Sequence, residues 1–565
     1  MALSLPMSSQ LGTAIEESVL GLMSITIMNS CVELIGCAFL TWLRAIILVS
    51  VCTFSYVFML AIYRLYLSPL APFPGPVLAR VTHWYEFYYN VVHTGKYYEK
   101  ISELHDKYGP VVRVTPEEIH IMEPSAYHEI FVAGAVRKTN SYPRFSSGTG
   151  FEDMTAISIC HDAHRRLRVP INKLFVRSSI LRIESRVSDR VERLCDRLAY
   201  HRGTGEVVNL TNALSSLTTD IISSVIFEEP SDYLGDPEFN ADWYETLKRG
   251  TRSVFLFKHL PWVISILGKP LLRFLATRIT RWTVWDDKAR RDLLLIRKRP
   301  SDASKTREKT TVLDYLVHSD LVESEFGNGG FPRLAQLIQQ AGAHNVSHTL
   351  GTIIAYLLMD PKKLEPLKRE LEVIWSEHDN KSTAPTWLEL EKAPYLSAVV
   401  NEGLRMAIGG MNRSPRVFPD DDIKICGWVI PRGTPISMTT YWMHNDPVVF
   451  PDPESFEPNR WLTTDATKLK AMQAYYVPFS LGSRSCVAKN LVHMQIYHTI
   501  SRLFRPDAPK LSLHKTTERD VVAVHGLLFP MPPFDSKGVR VTVSELAGTI
   551  VYFAKDSTLI LVRRR

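Results

Sequence analysis

The chain has 565 residues, of which 45% are hydrophobic and 22% are charged, and this balance is typical of a folded globular protein rather than a disordered one. The formal net charge of +7 is small for this length and no dense Lys/Arg block occurs, so the composition argues against a nucleic-acid-binding protein. The seven cysteines are dispersed without a CxxC pair, which argues against both a disulfide framework and a zinc cluster.

Residues 45–63 form an uncharged, apolar segment near the amino terminus. As a helix it would rise about 28 Å, close to the roughly 30 Å hydrocarbon core of a bilayer. Arg44 and Arg64 bracket the segment and no Lys or Arg precedes Arg44, so the positive-inside rule predicts a single span with the bulk of the chain in the cytosol. Residues 19–40 are also apolar but contain Glu33, and we interpret them as an interfacial segment or a weak second span.

Four regions follow from the composition along the chain. Residues 1–67 hold the anchor, and residues 68–76, SPLAPFPGP, predict a short stiff linker because their four prolines cannot continue a helix. Residues 77–543 contain no internal repeat, and their patterns predict one body that is mainly α with small β-sheets. The tail, residues 544–565, ends in RRR and receives no role. Helices are predicted at residues 97–108, 164–174 (interrupted by Pro170), 182–200, 210–227, 333–359, 361–377, 388–406 and 488–504, and strands at 110–116, 118–122, 423–430, 434–442 and 539–544.

The stretch FSLGSRSCVAKN, residues 479–490, presents Cys486 just ahead of a predicted helix. Helix amides and the helix dipole favour a thiolate there, and Gly482 permits a tight turn or the close approach of a flat ligand. Arg484 adds a positive charge and Phe479 an aromatic wall. Such a thiolate is either a nucleophile or a metal ligand, although this stretch taken alone favours a structural cysteine.

Two upstream segments carry charges that fit the cysteine stretch. Glu402 and Arg405 in NEGLR are three residues apart on a predicted helix, close enough to pair. Arg460 lies in the proline-broken segment FPDPESFEPNRW. We expect one carboxylate and two arginines in this order to form an ion network beneath the cysteine loop.

Taken together, these segments resemble the signatures of the cytochrome P450 family of haem-thiolate monooxygenases. FSLGSRSCVA resembles the FxxGxRxCxG haem-binding signature, EGLR matches ExxR, and FEPNRW resembles the PxRF-like arginine segment, in the same order. The anchor and the proline-rich linker are similar to those of the microsomal type. The resemblance covers roughly residues 68–543 and implies the cytochrome P450 fold preceded by an N-terminal transmembrane helix.

The resemblance implies a haem b cofactor with Cys486 as the proximal ligand of the iron, whose thiolate favours O–O cleavage. It also implies that Glu402, Arg405 and Arg460 are a structural network rather than catalysts. Position 488 is Ala where the signature usually has Gly, a departure that the family tolerates.

Four further residues resemble haem contacts of the family. His164 and Arg168 in HDAHRRLR resemble the W/HxxxR helix, whose members contact a haem propionate. Arg416 in RSPRVFP and Arg484 resemble two more propionate partners, and cation–carboxylate pairing suits a partly buried propionate. Phe479 and Gly482 belong to the same cofactor-binding signature.

The segment AGAHNV departs from the family pattern [A/G]Gx[D/E]T[T/S]. Ala341 and Gly342 are retained and are expected to leave backbone room for dioxygen, but His344 stands at the acid position and Asn345 at the hydroxyl position. The usual acid–alcohol pair relays protons; Asn345 cannot pass one as a hydroxyl can, whereas His344 could shuttle one near neutral pH. Three interpretations stay open: protons come from His344, ordered water or a substrate hydroxyl; the enzyme rearranges an already oxygenated substrate or uses reduced oxygen poorly; or the site is degenerate.

The function that this resemblance implies is a single-pass monooxygenase of the endoplasmic reticulum membrane. It would hydroxylate or epoxidise an apolar molecule with O2 and with electrons from NADPH-cytochrome P450 reductase, with cytochrome b5 as a second candidate partner. Sequence segments such as YGPVVRVTPEEIHI resemble those of fungal enzymes of specialised metabolism, in particular trichodiene-oxygenase-like ones. This resemblance implies a terpenoid, polyketide or alkaloid-derived substrate. The alternatives are a haem-thiolate isomerase or dehydratase and a non-catalytic haem-binding membrane protein. Substrate contacts are expected from residues 145–158, 245–270, 340–344, 407–412 and 525–530.

Overall fold

The computed structural model describes residues 9–134, 136–147, 159–263, 266, 283–298, 311–319, 330–378, 383–544, 551–555 and 558–562. The chain divides into two compact units, Met1–Ala71 and Pro72–Arg565, and each is described by itself.

The first unit is one long helix, Ser9–Ile62, which continues into a π-helical turn at Tyr63–Leu67. Its part Glu33–Leu67 contains an 18-residue stretch with a mean hydropathy of 2.4 and is the one helix among the described residues that is long and apolar enough to cross a membrane. The predicted span at residues 45–63 lies within it. Because the helix runs unbroken through residues 19–40, the chain has no turn there from which a second span could return.

The second unit is mostly helical, which confirms the predicted fold class. Its central helix, Gly330–Met359, is buried over most of its length because apolar side chains occur on several of its faces. The helix Leu210–Ile226 packs along it, and the large hydrophobic core surrounds both. The remaining α-helices are Val77–Val81, Trp84–Phe87, Tyr97–Tyr108, Tyr127–Ile130, Pro143–Ser146, His161–Phe175, Arg177–Leu181, Glu184–Tyr200, Ala241–His259, Thr283–Arg297, Val312–Val317, Pro361–Ser376, Trp387–Leu390, Pro394–Ala407, Thr440–His444, Ala466–Tyr475 and Lys489–Leu503.

Four predicted elements differ in kind from the observed ones. The strand predicted over residues 423–430 is a hairpin of two strands, because the chain turns at Cys426 and Gly427, whose φ angles are +51° and +77°. His161–Phe175 is continuous through Pro170, because the buried face of Leu167, Ile171 and Phe175 outweighs the one lost N–H. The helix predicted over residues 388–406 is two helices, since Pro394 has no N–H to continue the first and instead begins the second. The strand predicted over 434–442 ends at Ser437, and the helix Thr440–His444, buried at Met443 and His444, follows it.

Small sheets complete the second unit. In the largest, five strands lie in the order Val111–Arg113, Ile119–Ile121, Pro435–Ser437, Arg416–Val417 and Asn140–Ser141, with Val112 opposite His120 and Ile119 parallel to Ile436. Arg540–Ser544 is the middle strand of a second sheet, between Val208–Asn209 and Lys510–Leu513. Two-stranded hairpins pair Ile423–Ile425 with Trp428–Ile430, His525–Gly526 with Pro530–Met531, and, in the tail, Val551–Lys555 with Thr558–Val562.

Candidate active site

The cysteine loop, residues 477–488, folds back on itself before the helix Lys489–Leu503. The backbone N–H of Cys486 donates to the carbonyl oxygen of Phe479 over 2.8 Å, and that of Ser480 donates to Val477 over 3.0 Å. Phe479 packs against the main core and its ring lies 5.2 Å from that of His493. These contacts close the loop and present Cys486 at its end.

Gly482 is required by a backbone that approaches the loop from a distant part of the sequence. Its φ is +74°, and a Cβ there would lie 2.3 Å from the carbonyl oxygen of Val132 and 2.6 Å from that of Phe131. The backbone N–H of Ser483 donates to the same Val132 oxygen over 3.2 Å. The close approach expected at Gly482 is therefore made by the protein backbone on the side that the missing side chain would occupy.

The surroundings of the Cys486 sulfur determine how readily its thiol ionises. The residue is exposed, yet burial raises the pKa of its thiol, and the Ala488 backbone N–H and the charges of Arg168 and Lys489 only partly offset this. Burial therefore outweighs the helix amides that were expected to favour a thiolate, and a thiol of this kind ionises when it coordinates a metal ion.

Three arginines surround the cysteine loop without a carboxylate partner. Arg168 donates from Nη2 to the carbonyl oxygen of Ser485 over 2.6 Å, and Arg484 donates to that of Ile159 over 3.1 Å. Arg416 is 9% exposed and reaches only carbonyl oxygens of its own segment. None of the three forms an ion pair within the parts of the chain that the structure describes.

The charges of these arginines are uncompensated. Burial lowers the pKa of Arg416 to about 10, and burial together with the charges of Arg416 and Arg168 lowers that of Arg484 to about 10. Both Nε and Nη1 of Arg484 are buried without a hydrogen-bond partner among the described residues. Cations in this state fit an anionic ligand that supplies two carboxylates, as the propionates of a haem would.

His164 lies one turn before Arg168 on the helix His161–Phe175 and is buried. Burial, and then the charge of Arg484, lowers the pKa of His164 to about 3. The side chain is therefore neutral at physiological pH, so any contact it makes with a carboxylate is a neutral hydrogen bond rather than an ion pair.

The structure brings the predicted ion network together. Arg405 donates from Nε and Nη2 to the two oxygens of Glu402 over 3.0 and 2.8 Å, and both side chains are fully buried. Arg460 donates from Nε to Oε1 of Glu402 over 3.0 Å. The remaining N–H groups of Arg405 reach backbone carbonyls, for example Pro453 over 2.7 Å.

Two residues of this region were missed from the sequence. Trp461 donates from Nε1 to Oε2 of Glu402 over 2.9 Å, and its position directly after Arg460 was the available signal. His444 contacts both Arg405 and Val477, but its place in the sequence gave no sign of either contact.

On the central helix, His344 is 1% exposed and its Nε2 lies 3.1 Å from the carbonyl oxygen of Pro530. A carbonyl only accepts, so Nε2 carries the proton and donates. Burial lowers the pKa of His344 to about 4, and the rings of Tyr244 and Phe529 flank it. The imidazole is neutral at physiological pH, so a shuttle through His344 near neutral pH would work against this lowered pKa.

Gly342, in the same AGAHNV segment, does not have the role expected from the sequence. A Cβ on Gly342 would lie 2.6 Å from Cγ1 of Ile222, so this glycine allows close helix packing rather than leaving room for dioxygen. Ala341, in contrast, is exposed in the middle of a buried helix. Neither Nδ1 of His344 nor Oδ1 of Asn345 has a hydrogen-bond partner among the described residues, although both atoms are buried.

Parts of the expected substrate-contact regions lie close together. Phe255 packs with Leu527 and Met531 in one small apolar cluster. Asn412 donates from Nδ2 to the carbonyl oxygen of Leu527, which joins the 407–412 and 525–530 regions. Residues 148–158, 264–265 and 267–270 lie outside the described residues.

Comparison with known proteins agrees with this geometry. The sequence model of the family described as Cytochrome P450 matches residues 74–533. The chain is 37% identical over 497 residues to the cytochrome P450 monooxygenase oblB of Cochliobolus heterostrophus, covering 86% of this chain and 94% of the relative. It is 36% identical to the fusicoccadiene C-8 hydroxylase of Phomopsis amygdali (85% and 93% covered) and 33% identical to the stellatic acid synthase of Emericella variicolor (86% and 92%). The chain therefore belongs to the cytochrome P450 family, whose members are haem-thiolate oxidoreductases of the monooxygenase type.

Proposed function

We propose that this cytochrome P450 is a membrane-bound monooxygenase that hydroxylates or epoxidises an apolar terpenoid, with O2 and with electrons that a reductase draws from NADPH. The names of the relatives support an apolar substrate, because one relative is a hydroxylase of fusicoccadiene, which is named as a diene. The apolar cluster of Phe255, Leu527 and Met531 supports it as well. A polyketide or alkaloid-derived substrate is the alternative within the same reaction class.

Haem b would be held, in this proposal, by the Cys486 thiolate as a ligand of its iron and by Arg168, Arg416 and Arg484 at its two propionates. The bound haem supplies the activation of dioxygen and the transfer of one oxygen atom to the substrate. The observation that carries the assignment is the set of three uncompensated arginines around an accessible, deeply placed thiol. His164 adds a neutral hydrogen-bonding group beside them.

The ion network has a structural role in this proposal. Arg405 and Arg460 share the one carboxylate of Glu402, and backbone carbonyl oxygens accept from their remaining N–H groups, so none of the three side chains has a hydrogen-bonding group free for chemistry. Phe479 and Gly482 shape the loop that presents Cys486. Residues 68–76 serve as the linker between the anchor and a catalytic domain of residues 77–543.

His344 and Asn345 are the side chains of the central helix that would position the source of protons. Because His344 is neutral and its Nε2–H points to Pro530, a proton can reach or leave this side chain only through its bare Nδ1. Asn345 accepts or donates hydrogen bonds without titrating. Both side chains are therefore suited to orient a water molecule or a substrate hydroxyl that carries the proton.

The side chains of His344 and Asn345 also favour a second candidate function, that of a haem-thiolate isomerase or dehydratase. The bare Nδ1 of His344 and Oδ1 of Asn345 would remain unpaired against a pure hydrocarbon, at a cost of about 1–3 kcal/mol each. A substrate that already carries oxygen would satisfy them, and a haem-thiolate isomerase or dehydratase would act on such a substrate. Dependence on NADPH separates the two: the monooxygenase requires it and the isomerase does not.

The membrane and partner assignments extend the same proposal. The helix that ends at Leu67 would anchor the protein in the endoplasmic reticulum with the catalytic domain in the cytosol. An acidic surface of the reductase would dock near Arg484 and Lys489, with cytochrome b5 as a second electron donor.

The experiment is product analysis after co-expression of the full chain with a cytochrome P450 reductase. Fusicoccadiene is the probe, and the Cys486→Ala and Cys160→Ala variants are compared with the wild type, since Cys160 is an exposed cysteine outside the loop. We expect an NADPH-dependent product that is heavier by one oxygen atom, retained in Cys160→Ala and absent in Cys486→Ala. A product formed equally without NADPH would contradict the monooxygenase.

A further inference from the structure

His444 is a fully buried residue whose two ring nitrogens have distinct roles. The backbone N–H of Val477 donates to Nε2 over 3.0 Å, so Nε2 is the unprotonated nitrogen. Nδ1 lies 3.1 Å from the carbonyl oxygen of Arg405, and because that oxygen only accepts, Nδ1 carries the proton and donates. The geometry therefore selects one tautomer of a neutral imidazole.

The two bonds of His444 join two structures that are far apart in the sequence. Arg405 is part of the buried ion network, and its carbonyl is among the last four of the helix Pro394–Ala407, which find no partner within a helix. The guanidinium of Arg405 returns a bond from Nη1 to the carbonyl oxygen of His444 over 3.0 Å. Val477, on the other side, is the first residue of the cysteine loop.

The remaining anchors of the cysteine loop hold its other parts. Val132 accepts from Ser483 in the middle of the loop, the Ser480 hydroxyl is hydrogen-bonded to that of Tyr127 over 3.1 Å, and Arg168 donates to Ser485 next to Cys486. The bond from Val477 to His444 holds the first residue of the loop. Without it the loop would keep these other anchors but lose the hydrogen-bonded path through His444 to Arg405.

We propose that His444 is a positioning residue for Cys486: its neutral imidazole ties the start of the cysteine loop to the ion network and so fixes where the sulfur stands against the bound haem. This rests on the proposed assignment of Cys486 as the axial ligand. Burial, and then the charge of Arg405, lowers the pKa of His444 to about 3, so the required tautomer persists over the whole physiological range.

The test uses the full-length ferric and ferrous holoenzyme in four forms: wild type, His444→Leu, His444→Gln and His120→Leu. His120 is a matched control, since it is equally buried and both of its nitrogens are bonded, to His105 over 2.7 Å and to Thr439 over 3.0 Å. Two properties are measured. One is the share of the ferrous carbon monoxide complex with the red-shifted Soret band of thiolate ligation, and the other is hydrogen–deuterium exchange of the amides in residues 475–486.

We expect His444→Leu to lose at least half of the red-shifted band and to speed exchange at Val477 about tenfold or more, because a buried N–H loses its acceptor. His444→Gln carries an acceptor at a similar reach and should recover most of both properties. His120→Leu should melt at a lower temperature and keep both properties at wild-type values.

Three results would overturn the proposal. One is a wild-type band and wild-type exchange in His444→Leu, and another is an equal loss of the band in His120→Leu. If His444→Leu does not fold, His444→Gln is compared with His444→Asn, whose amide is too short to reach Val477; a band in His444→Asn at least as strong as in His444→Gln is the third. Absence of the red-shifted band in the wild type would instead contradict the assignment of Cys486 and with it the proposed function.

Discussion

Trp461 donates a hydrogen bond from its indole Nε1 to Oε2 of Glu402 over 2.9 Å, and thereby completes the hydrogen bonding of a fully buried carboxylate. Arg405, Arg460 and the backbone N–H of Glu457 also donate to that carboxylate. A buried charge needs every one of these donors, because an unpaired donor or acceptor costs more than the pair gains.

Trp461→Phe is expected to lower the free energy of unfolding by about 1.5–3 kcal/mol, since it removes a hydrogen bond to a charged group. Trp375→Phe is the matched control: its Nε1 donates to the neutral Ser501 hydroxyl over 3.0 Å, so about 0.5–1.5 kcal/mol is expected. Urea unfolding of both variants measures the difference. Equal losses in the two would contradict the charged partner that we assign to Trp461.

Gly482→Ala should prevent normal haem incorporation. Its Cβ would lie 2.3 Å from the Val132 carbonyl oxygen, and no movement of a flexible side chain can relieve a clash with backbone. Gly109→Ala also falls at a positive φ, +90° with ψ −169°, but has nothing within 4 Å of the added Cβ, so it should cost about 1–3 kcal/mol through its backbone conformation alone. The ratio of haem to protein after purification is the measurement, and equal ratios in both variants would show that the close approach to Val132 is unimportant.

Arg416→Leu should accelerate haem loss by about tenfold or more, because one charge-assisted hydrogen bond to a propionate is worth roughly 1.5–3 kcal/mol. The rate of haem transfer to apomyoglobin measures this loss. Arg177→Leu is the control, since Arg177 pairs on the surface with Glu391. A wild-type transfer rate in Arg416→Leu would remove Arg416 from the haem contacts.

The lowered pKa of His344 makes the free energy of unfolding depend on pH. Burial lowers its pKa from 6.5 to about 4, so between these values the unfolded chain binds more protons than the folded one. The free energy of unfolding should therefore fall as the pH drops from 6.5 towards 4, by up to about 3 kcal/mol from this group. His344→Gln should make that dependence shallower between pH 7 and pH 5 in urea unfolding, although other buried histidines such as His348 and His444 contribute to it as well. An identical dependence in both proteins would contradict a buried neutral imidazole.

The same pKa shift predicts how the rate depends on pH. Since His344 stays neutral from pH 6 to pH 8, its titration should leave no inflection in kcat/KM over that interval. A step near pH 6.5 that disappears in His344→Gln would show that His344 shuttles protons as an imidazolium after all.

Much of the fold and the site could be predicted because the information is local. The period of the apolar residues predicted the helix Tyr97–Tyr108 to the residue, and the three charged motifs lie in a fixed order along the chain. The three-residue spacing of Glu402 and Arg405 alone brings their side chains onto one helix face.

What could not be predicted depends on partners far away in the sequence. Nothing near Gly482 indicates that Val132 would touch it, and nothing near Gly342 indicates Ile222. The hydrogen bonds that join His444 to Arg405 and to Val477 also connect residues that are far apart in the sequence. The pKa of His344 depends on burial by Pro530, Tyr244 and Phe529, which a motif does not contain.

The most direct test of the account is the carbon monoxide difference spectrum of the reduced, full-length protein. We predict that the wild type and Cys160→Ala show the red-shifted Soret band of thiolate-ligated haem, and that Cys486→Ala lacks it. A red-shifted band that survives in Cys486→Ala would contradict the assignment of Cys486 as the axial ligand, and its absence from the wild type would contradict a haem-thiolate site in this chain.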